Sequence, residues 1–406
     1  MLAGIYSVIK IIEICFIALL ILSLALEIMA RIVKAIRKTF FINEVRRKDF
    51  LASGYQEYIN WIEDWSKPMF NYHPIGFRLF NNDHVIPPIN NNSLGFRSEE
   101  FSEPNPDELR LIILGGSSAW GCGASSNEAT IAGQLEKIMN SDRRLLGAFR
   151  RAKCYNLAQV NGYQTQDLLT MLFIAPKLKP HYVLSLSGWN ELVANGEMKP
   201  ELLKKYGVFY ISEMEGWQPL GVAGGRKKLL GNAFRHYVSE KSELLRIIFS
   251  RSQNGMPATK PSIREQIDVG ATLFIDHLRK LQMLAKTLGS KHIQFMQPYL
   301  FRKRNLTEQE KKIIHLYDEV RPVMGGKKGS NYLRENDIYL PILSAFEKDP
   351  MAAVIVDLCD IFRDEQASMF YTLVHLTDNG YRKIAETIYQ ELLRLEQSDS
   401  KEAYHA

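Results

Sequence analysis

From residue 109 onward, short apolar runs alternate with stretches in which apolar positions recur three and four residues apart. Leu111 to Leu114 form an unbroken apolar run, which predicts a buried strand over 109–114. Further strands are predicted over 153–157, 182–186, 292–296 and near 354–358. The helical spacing predicts helices over about 127–139, 166–178 and 267–288, and a last one over 378–395. Ser125 and Glu128 are spaced as a capping box for the first of these, and Thr307 and Glu310 for a helix over 308–321. Strands joined by helices imply a parallel sheet covered on both faces, an α/β fold.

The alternation breaks in two places. Residues 195–260 are basic, aromatic and punctuated by glycine, as in Gly224-Gly225-Arg226-Lys227-Lys228, and predict an inserted helical cap. Residues 301–345 form a second excursion before the fifth strand. Upstream, residues 39–108 form a connecting region. In it Tyr55, Tyr58, Trp61 and Trp65 fall at helical spacing, and residues 81–93, rich in Asn and Pro, read as loop. Ile75-Gly76-Phe77-Arg78 is echoed by Leu94-Gly95-Phe96-Arg97, two candidate turns that seat an aromatic and an arginine on the main body.

The first 38 residues carry a different signal. Residues 14–26 hold no charge and a single hydroxyl, Ser23. The wider span 11–30 reaches the roughly 20 residues that a bilayer demands. No small-x-small cleavage pattern follows it, so a single N-terminal transmembrane anchor is expected rather than a cleaved signal, with an amphipathic helix lying on the membrane or on the protein as the alternative. The chain's net charge is +6, and residues 31–48 account for it, with seven Lys and Arg against Glu44 alone. The remainder is close to neutral, which argues against a nucleic-acid-binding face and for a membrane surface beside the basic flank. That flank favours a cytoplasmic main domain by the positive-inside rule. The four cysteines, Cys15, Cys122, Cys154 and Cys359, require no disulfide.

Candidate chemistry sits at the predicted strand ends. Gly115-Gly116-Ser117 follows the first strand, and a serine on a sharp turn at the carboxyl end of a buried strand is where such folds place a nucleophile. Gly162 follows the second strand, Asn190 follows the third, and His375 precedes the last helix. In a parallel sheet these ends share one rim. The N–H groups of Ser117 and Gly162 and the Asn190 amide can then point at one oxygen, with His375 as the base for Ser117. His73, His84, His181, His292 and His315 show no metal-ligand spacing, and no phosphate loop or dinucleotide fingerprint is present, so no cofactor or metal is expected.

These four blocks resemble those of the SGNH or GDSL-type hydrolases. Gly115-Gly116-Ser117-Ser118-Ala119-Trp120-Gly121 is similar to the family's first block, with Gly116 in the Asp position. The run Asn156 to Gly162 is similar to the second, Gly188-Trp189-Asn190-Glu191 to the third, and His375-Leu376-Thr377-Asp378-Asn379-Gly380 to the fourth. The resemblance spans about residues 109–395, within a domain expected over 109–400. It implies a three-layer α/β/α flavodoxin-like sandwich and a Ser-His acyl-enzyme mechanism on a carboxylic ester, such as an O-acetylated glycan or a lipid ester. It also implies an exported domain, against the charge rule. An O-acyltransferase of the same fold, and a degenerate binding or scaffold protein, are the alternatives. Where the family carries an Asp three residues before the His, this chain has Thr372. Asp360 is the favoured substitute over Asp357 and Asp364; a dyad oriented by a backbone carbonyl, or reduced activity, are the other outcomes. The run from Asn156 to Gly162 is one residue longer than the family's spacing leads one to expect.

Overall fold

The computed structural model describes residues 2–36, 70–72, 77–80, 89–193, 203–204, 207–209, 242, 263–320, 333–335, 337–346 and 354–405. The aromatic spacing at Tyr55 to Trp65 and nearly all of the predicted insertion over 195–260 lie outside these residues. The chain divides into two compact units, Met1–Lys48 with Glu213–Lys260, and Asp49–Ser212 with Pro261–Ala406.

In the first unit, α1 spans Leu2–Ile36. Its stretch Lys10–Val33 is apolar along 24 residues and none of that stretch is buried. At about 1.5 Å per residue it exceeds the roughly 30 Å hydrocarbon core of a bilayer. The helix is thus long and apolar enough to cross a membrane, a test that a signal sequence also passes. The acidic group near its end is neutralised locally, as Arg31 Nε donates to Glu27 Oε1 at 2.7 Å and Ser242 Oγ to Glu27 Oε2 at 2.7 Å.

The second unit holds a short antiparallel pair, β1 (Phe70–Tyr72) and β2 (Arg78–Phe80), and a five-stranded sheet. The sheet strands are β3 (Glu108–Gly115), β4 (Arg151–Asn156), β5 (Tyr182–Ser187), β6 (Lys291–Met296) and β7 (Val354–Asp357). Their spatial order is β4-β3-β5-β6-β7, and every pairing is parallel. The connection from β3 runs to one side and the next crosses to the other, so the order reverses beside β3. In such sheets the crevice at that reversal is the binding position.

All eight residues of β3 are buried, because it is flanked by strands on both edges and by helices on both faces. Leu109, Leu111 and Ile113 face one layer with Leu184 and Leu186, where α3 (Ile131–Asp142) and α10 (Asp378–His405) pack together through Leu135, Met139, Ile384 and Ile388. Ile112 and Leu114 face the other layer with Tyr155 and Val183, where α4 (Gln164–Phe173) and α7 (Ile263–Thr287) contribute Met171, Leu281 and Ala285. The three-layer sandwich expected from the sequence is therefore the observed fold, and each strand alternates its side chains between two cores.

Short helices follow the strand ends: α2 (Ser117–Trp120) after β3, α5 (Ala175–Leu178) after α4, and α6 (Trp189–Leu192) after β5. The helices α8 (Glu308–Val320) and α9 (Leu340–Phe346) belong to the second excursion. Three sequence expectations are corrected. First, α3 begins at Ile131, capped by Thr130 Oγ1, which accepts from the Gly133 N–H, while Ser125 Oγ donates to Asp378 Oδ2 instead of capping α3. Second, the helix predicted over 166–178 is two helices, divided at Ile174, with Pro176 in the first turn of the second. A proline has no N–H to continue a helix but fits its first turn. Third, α10 continues to His405. The Thr307–Glu310 box forms as read, each backbone N–H donating to the other residue's side chain.

The second of the two echoed turns seats its pair as expected: Phe96 and Arg97 are both buried. The Arg97 guanidinium donates to the carbonyls of Gly121, Ala124 and Ser126 and to Asn127 Oδ1, and lies 4.7 Å over the Trp120 ring. It thereby gathers the loop that leaves α2. An Arg97→Ala substitution removes four hydrogen bonds and the contact over Trp120, and is expected to cost about 3 kcal/mol or more of stability, read as a lowered midpoint in thermal or urea denaturation.

Candidate active site

The turn after β3 is built from two glycines because nothing larger fits. Gly115 has φ +135°, and a Cβ there would lie 2.1 Å from the carbonyl oxygen of Leu186 on β5. At Gly116 a Cβ would come within 2.6 Å of Asn190 Nδ2. The chain then enters α2, whose first residue is Ser117, buried at the rim of the sheet. As the first residue of its helix, Ser117 has no intrahelical acceptor for its N–H.

Ser117 and His375, 258 positions apart in sequence, meet here: Ser117 Oγ and His375 Nε2 lie 2.8 Å apart. The ring's other nitrogen is shielded from solvent. This burial pushes the His375 pKa down to about 4. The imidazole is therefore neutral at pH 7 and able to take a proton. Asn190 stands at the first turn after β5, and its Nδ2 donates to the Gly162 carbonyl at 2.8 Å while lying beside Gly116. The structure thus gathers Ser117, His375, Asn190 and Gly162 at the sheet's reversal point.

Two expected contributions differ. The Gly162 N–H donates to the Gln159 carbonyl at 2.8 Å, closing a turn around Asn161 at φ +55°, so this hydrogen is engaged within its own loop. Asp360 does not orient His375: its two oxygens accept from Arg302 Nε at 2.9 Å and Nη2 at 3.0 Å, and Arg363 lies 3.3 Å away. Asp357 Oδ1 accepts the Cys359 N–H, and Asp364 faces Arg304 at 3.9 Å. Thr372, in the position where the resemblance expects an acid, turns its Oγ1 to its own loop and accepts the N–H of His375 at 3.1 Å.

Beneath the rim, buried polar groups tie the turns together. Asp167 Oδ1 accepts the Gly115 N–H at 3.0 Å. Glu191 accepts the Gln164 N–H at Oε1 and the Gly188 N–H at Oε2, 3.0 and 2.9 Å away. Burial raises the Glu191 pKa to about 7, and burial with the nearby Glu191 charge raises Asp167 well above the carboxylate range. Behind Ser117, Ser118 Oγ donates to the Val374 carbonyl at 2.8 Å and accepts from Gln297 Nε2 at 2.8 Å. Asp167, Ser118 and Gln297 are not singled out by the sequence, since their partners lie 52, 256 and 179 residues away and no local motif marks them. Among the described residues no group of His, Cys, Asp and Glu is placed to hold a metal ion.

No protein-family model and no curated protein matches this sequence. Among solved structures, the chain is similar to the acetyl xylan esterase AlAXEase, at 12% identity over 70% of this chain and 98% of that one, with a TM-score of 0.34. It is similar to LAE5, an alpha/beta hydrolase enzyme from the metagenome of Lake Arreo, at 12% identity over 70% of this chain and 94% of that one, with a TM-score of 0.36. It is also similar to a catalytic mutant of Axe2, an acetylxylan esterase from Geobacillus stearothermophilus, at 11% identity over 70% and 93% of the two chains, with a TM-score of 0.36.

The sign of the His375 shift gives a direct expectation. Its folded pKa lies below the ordinary value, so the neutral, proton-accepting form persists on acidification and is lost only as pH falls through about 4. The rate at which a fluorophosphonate labels Ser117 is expected to stay level from pH 7 to about 5.5 and to fall below that. A midpoint near the ordinary histidine value, about 6.5, would contradict this environment.

Proposed function

We propose that this chain is a serine hydrolase acting on carboxylic esters through an acyl-enzyme on Ser117. The 2.8 Å contact between Ser117 Oγ and His375 Nε2, at a strand end where Asn190 also converges, is the observation that carries this reading. His375 removes the Ser117 proton as Oγ attacks the ester carbonyl. The Ser117 N–H and the Asn190 amide receive the developing oxyanion, and the Gly162 N–H joins them only by leaving Gln159. His375 then returns its proton to the departing alkoxide, and the acyl group stays on Ser117. A water activated by the same imidazole releases the acid. Preorganised donors of this kind supply a large part of acyl-transfer catalysis.

The resemblance of the four blocks favours an O-acylated glycan or a lipid ester as substrate. An apolar α1 with a basic flank at residues 31–48 supports a membrane-anchored enzyme acting on a substrate made or held at a membrane.

Fluorophosphonate is expected to label Ser117 in the folded protein and to leave a Ser117→Ala variant unlabelled. A folded wild-type sample without the adduct overturns the reading. Asn190→Ala is expected to lower kcat by about 10²–10³, or roughly 3–4 kcal/mol of transition-state stabilisation, and His375→Ala by at least as much, measured on a panel of acetyl and longer acyl esters. A loss below tenfold at Asn190 removes it from the oxyanion site. The anchor is tested on protein recovered from cell membranes: the intact mass retains residues 1–38 and alkaline carbonate fails to extract it. Cleavage after α1 would instead assign that helix to a signal sequence.

A further inference from the structure

We propose that Ser118 and Gln297 are positioning residues that fix the distance between Ser117 and His375. This rests on the reading of that pair as nucleophile and base.

The geometry is a double link between two short segments. Ser117 and Ser118 are consecutive on α2, and Val374 and His375 are consecutive on the loop before α10. Ser117 Oγ meets His375 Nε2 at 2.8 Å, and one residue along, Ser118 Oγ donates to the Val374 carbonyl at 2.8 Å. Two adjacent contacts between two segments restrain rotation as well as separation, which a single contact does not. Ser118 is almost fully buried, at 1% exposure, so its hydroxyl serves this contact rather than a ligand.

Gln297 sets the direction of that hydroxyl. Its Nε2 donates to Ser118 Oγ at 2.8 Å, which occupies a lone pair and leaves the Ser118 hydrogen for the Val374 carbonyl. Gln297 is itself held at the end of β6. Its N–H donates to the Ser187 carbonyl at 3.1 Å, and its carbonyl accepts from the Tyr339 hydroxyl at 3.1 Å. The line Gln297–Ser118–Val374 thus passes the rigidity of the sheet to the histidine loop through the residue next to the nucleophile. The loop has a second tether, as Leu300 N–H donates to the Leu373 carbonyl at 2.8 Å. Loss of Ser118 is therefore expected to loosen the loop without unfolding it.

A displacement of about 1 Å in such a pair can cost on the order of 10²-fold in rate. Ser118→Ala is expected to lower both kcat and the rate of Ser117 labelling by about 10- to 100-fold with KM unchanged, because nothing that binds substrate is removed. Gln297→Met, which keeps the volume and deletes the donor, is expected to lower them by about 3- to 10-fold, and it carries the test if Ser118→Ala does not fold. The decisive readout is a double-mutant cycle with His375→Ala, scored on the labelling rate. A residue acting through His375 has less than a twofold further effect once His375 is gone. An equal loss in both backgrounds, or less than a twofold loss in the wild-type background, overturns the inference. If His375→Ala itself leaves labelling unchanged, the base reading fails and this inference fails with it. A large His375→Ala loss beside an unaffected Ser118→Ala sinks this inference alone.

Discussion

The site depends on how closely the end of β3 approaches β5. Parallel strands pair at fixed spacing, and the chain must leave β3 in a turn tight enough to begin a helix one residue later. Gly115 does this where a Cβ would lie 2.1 Å from the Leu186 carbonyl oxygen, and in a positive-φ conformation that L side chains rarely adopt. Gly116 continues with the Asn190 amide in the space a methyl group would occupy. The side-chain-free turn is what lets the loops after all three neighbouring strands close on one point. Gln159, after β4, donates its N–H to the Gly115 carbonyl at 2.9 Å, and Asn190 arrives from β5. Ser117 is the first residue past this constriction, so its hydroxyl is placed by backbone geometry before any side-chain contact forms.

The turns are tied by buried carboxyl groups, and the choice has a cost. Glu191 and Asp167 lie within the protein, where a charge is poorly solvated, and their pKa values rise accordingly. What each provides is acceptor capacity for backbone N–H groups that turns at strand ends leave unsatisfied: two for Glu191 and one for Asp167. Glu191 and Asn190 are neighbours on α6, one turned down to lock the loops and the other turned toward Gly116 and the Gly162 carbonyl. The Asn190 side of the site is therefore fixed from below by hydrogen bonds rather than by ion pairs, while the ion pairs of Asp360 with Arg302 and Arg363 stay nearer the surface.

Much of this was legible in the sequence, and the boundary is physical. Strands buried on both faces announce themselves as apolar runs, so Leu111 to Leu114 located β3 and the alternation with helices gave the sheet. The convergence of Ser117, Asn190 and His375 on one rim is legible because each stands at a strand end or helix start within a short local pattern. The direction of Asp360 is not legible, because proximity in sequence to His375 says nothing of it: the turn after β7 aims it at Arg302, where two guanidinium hydrogen bonds hold it. The direction of the Gly162 N–H is not legible for a related reason, since a residue count does not reveal that Asn161 at positive φ folds this hydrogen back on Gln159. Ser125 looked like a cap and became a partner of Asp378, a contact across 253 residues that no local pattern encodes.

On the proposed function, the environment of His375 decides what kind of base it is. With its pKa drawn to about 4, protonating it costs roughly 3 kcal/mol more than protonating a solvated imidazole, at 1.36 kcal/mol per unit. The neutral form predominates at pH 7, but on the proposed mechanism the imidazolium formed as Ser117 attacks is unfavourable where it stands. Thr372 spends its hydroxyl on the backbone of its own loop and supplies no charge to offset this. On the proposed mechanism, basicity then adds little, and the rate would rest on the oxyanion donors and on how constantly Ser117 and His375 are held at reacting distance. A site with a strong base tolerates a loose histidine, because proton affinity compensates for imperfect geometry. A site with a weak one does not, and the second serine, locked between Gln297 and the Val374 carbonyl, stands where that constraint falls most heavily.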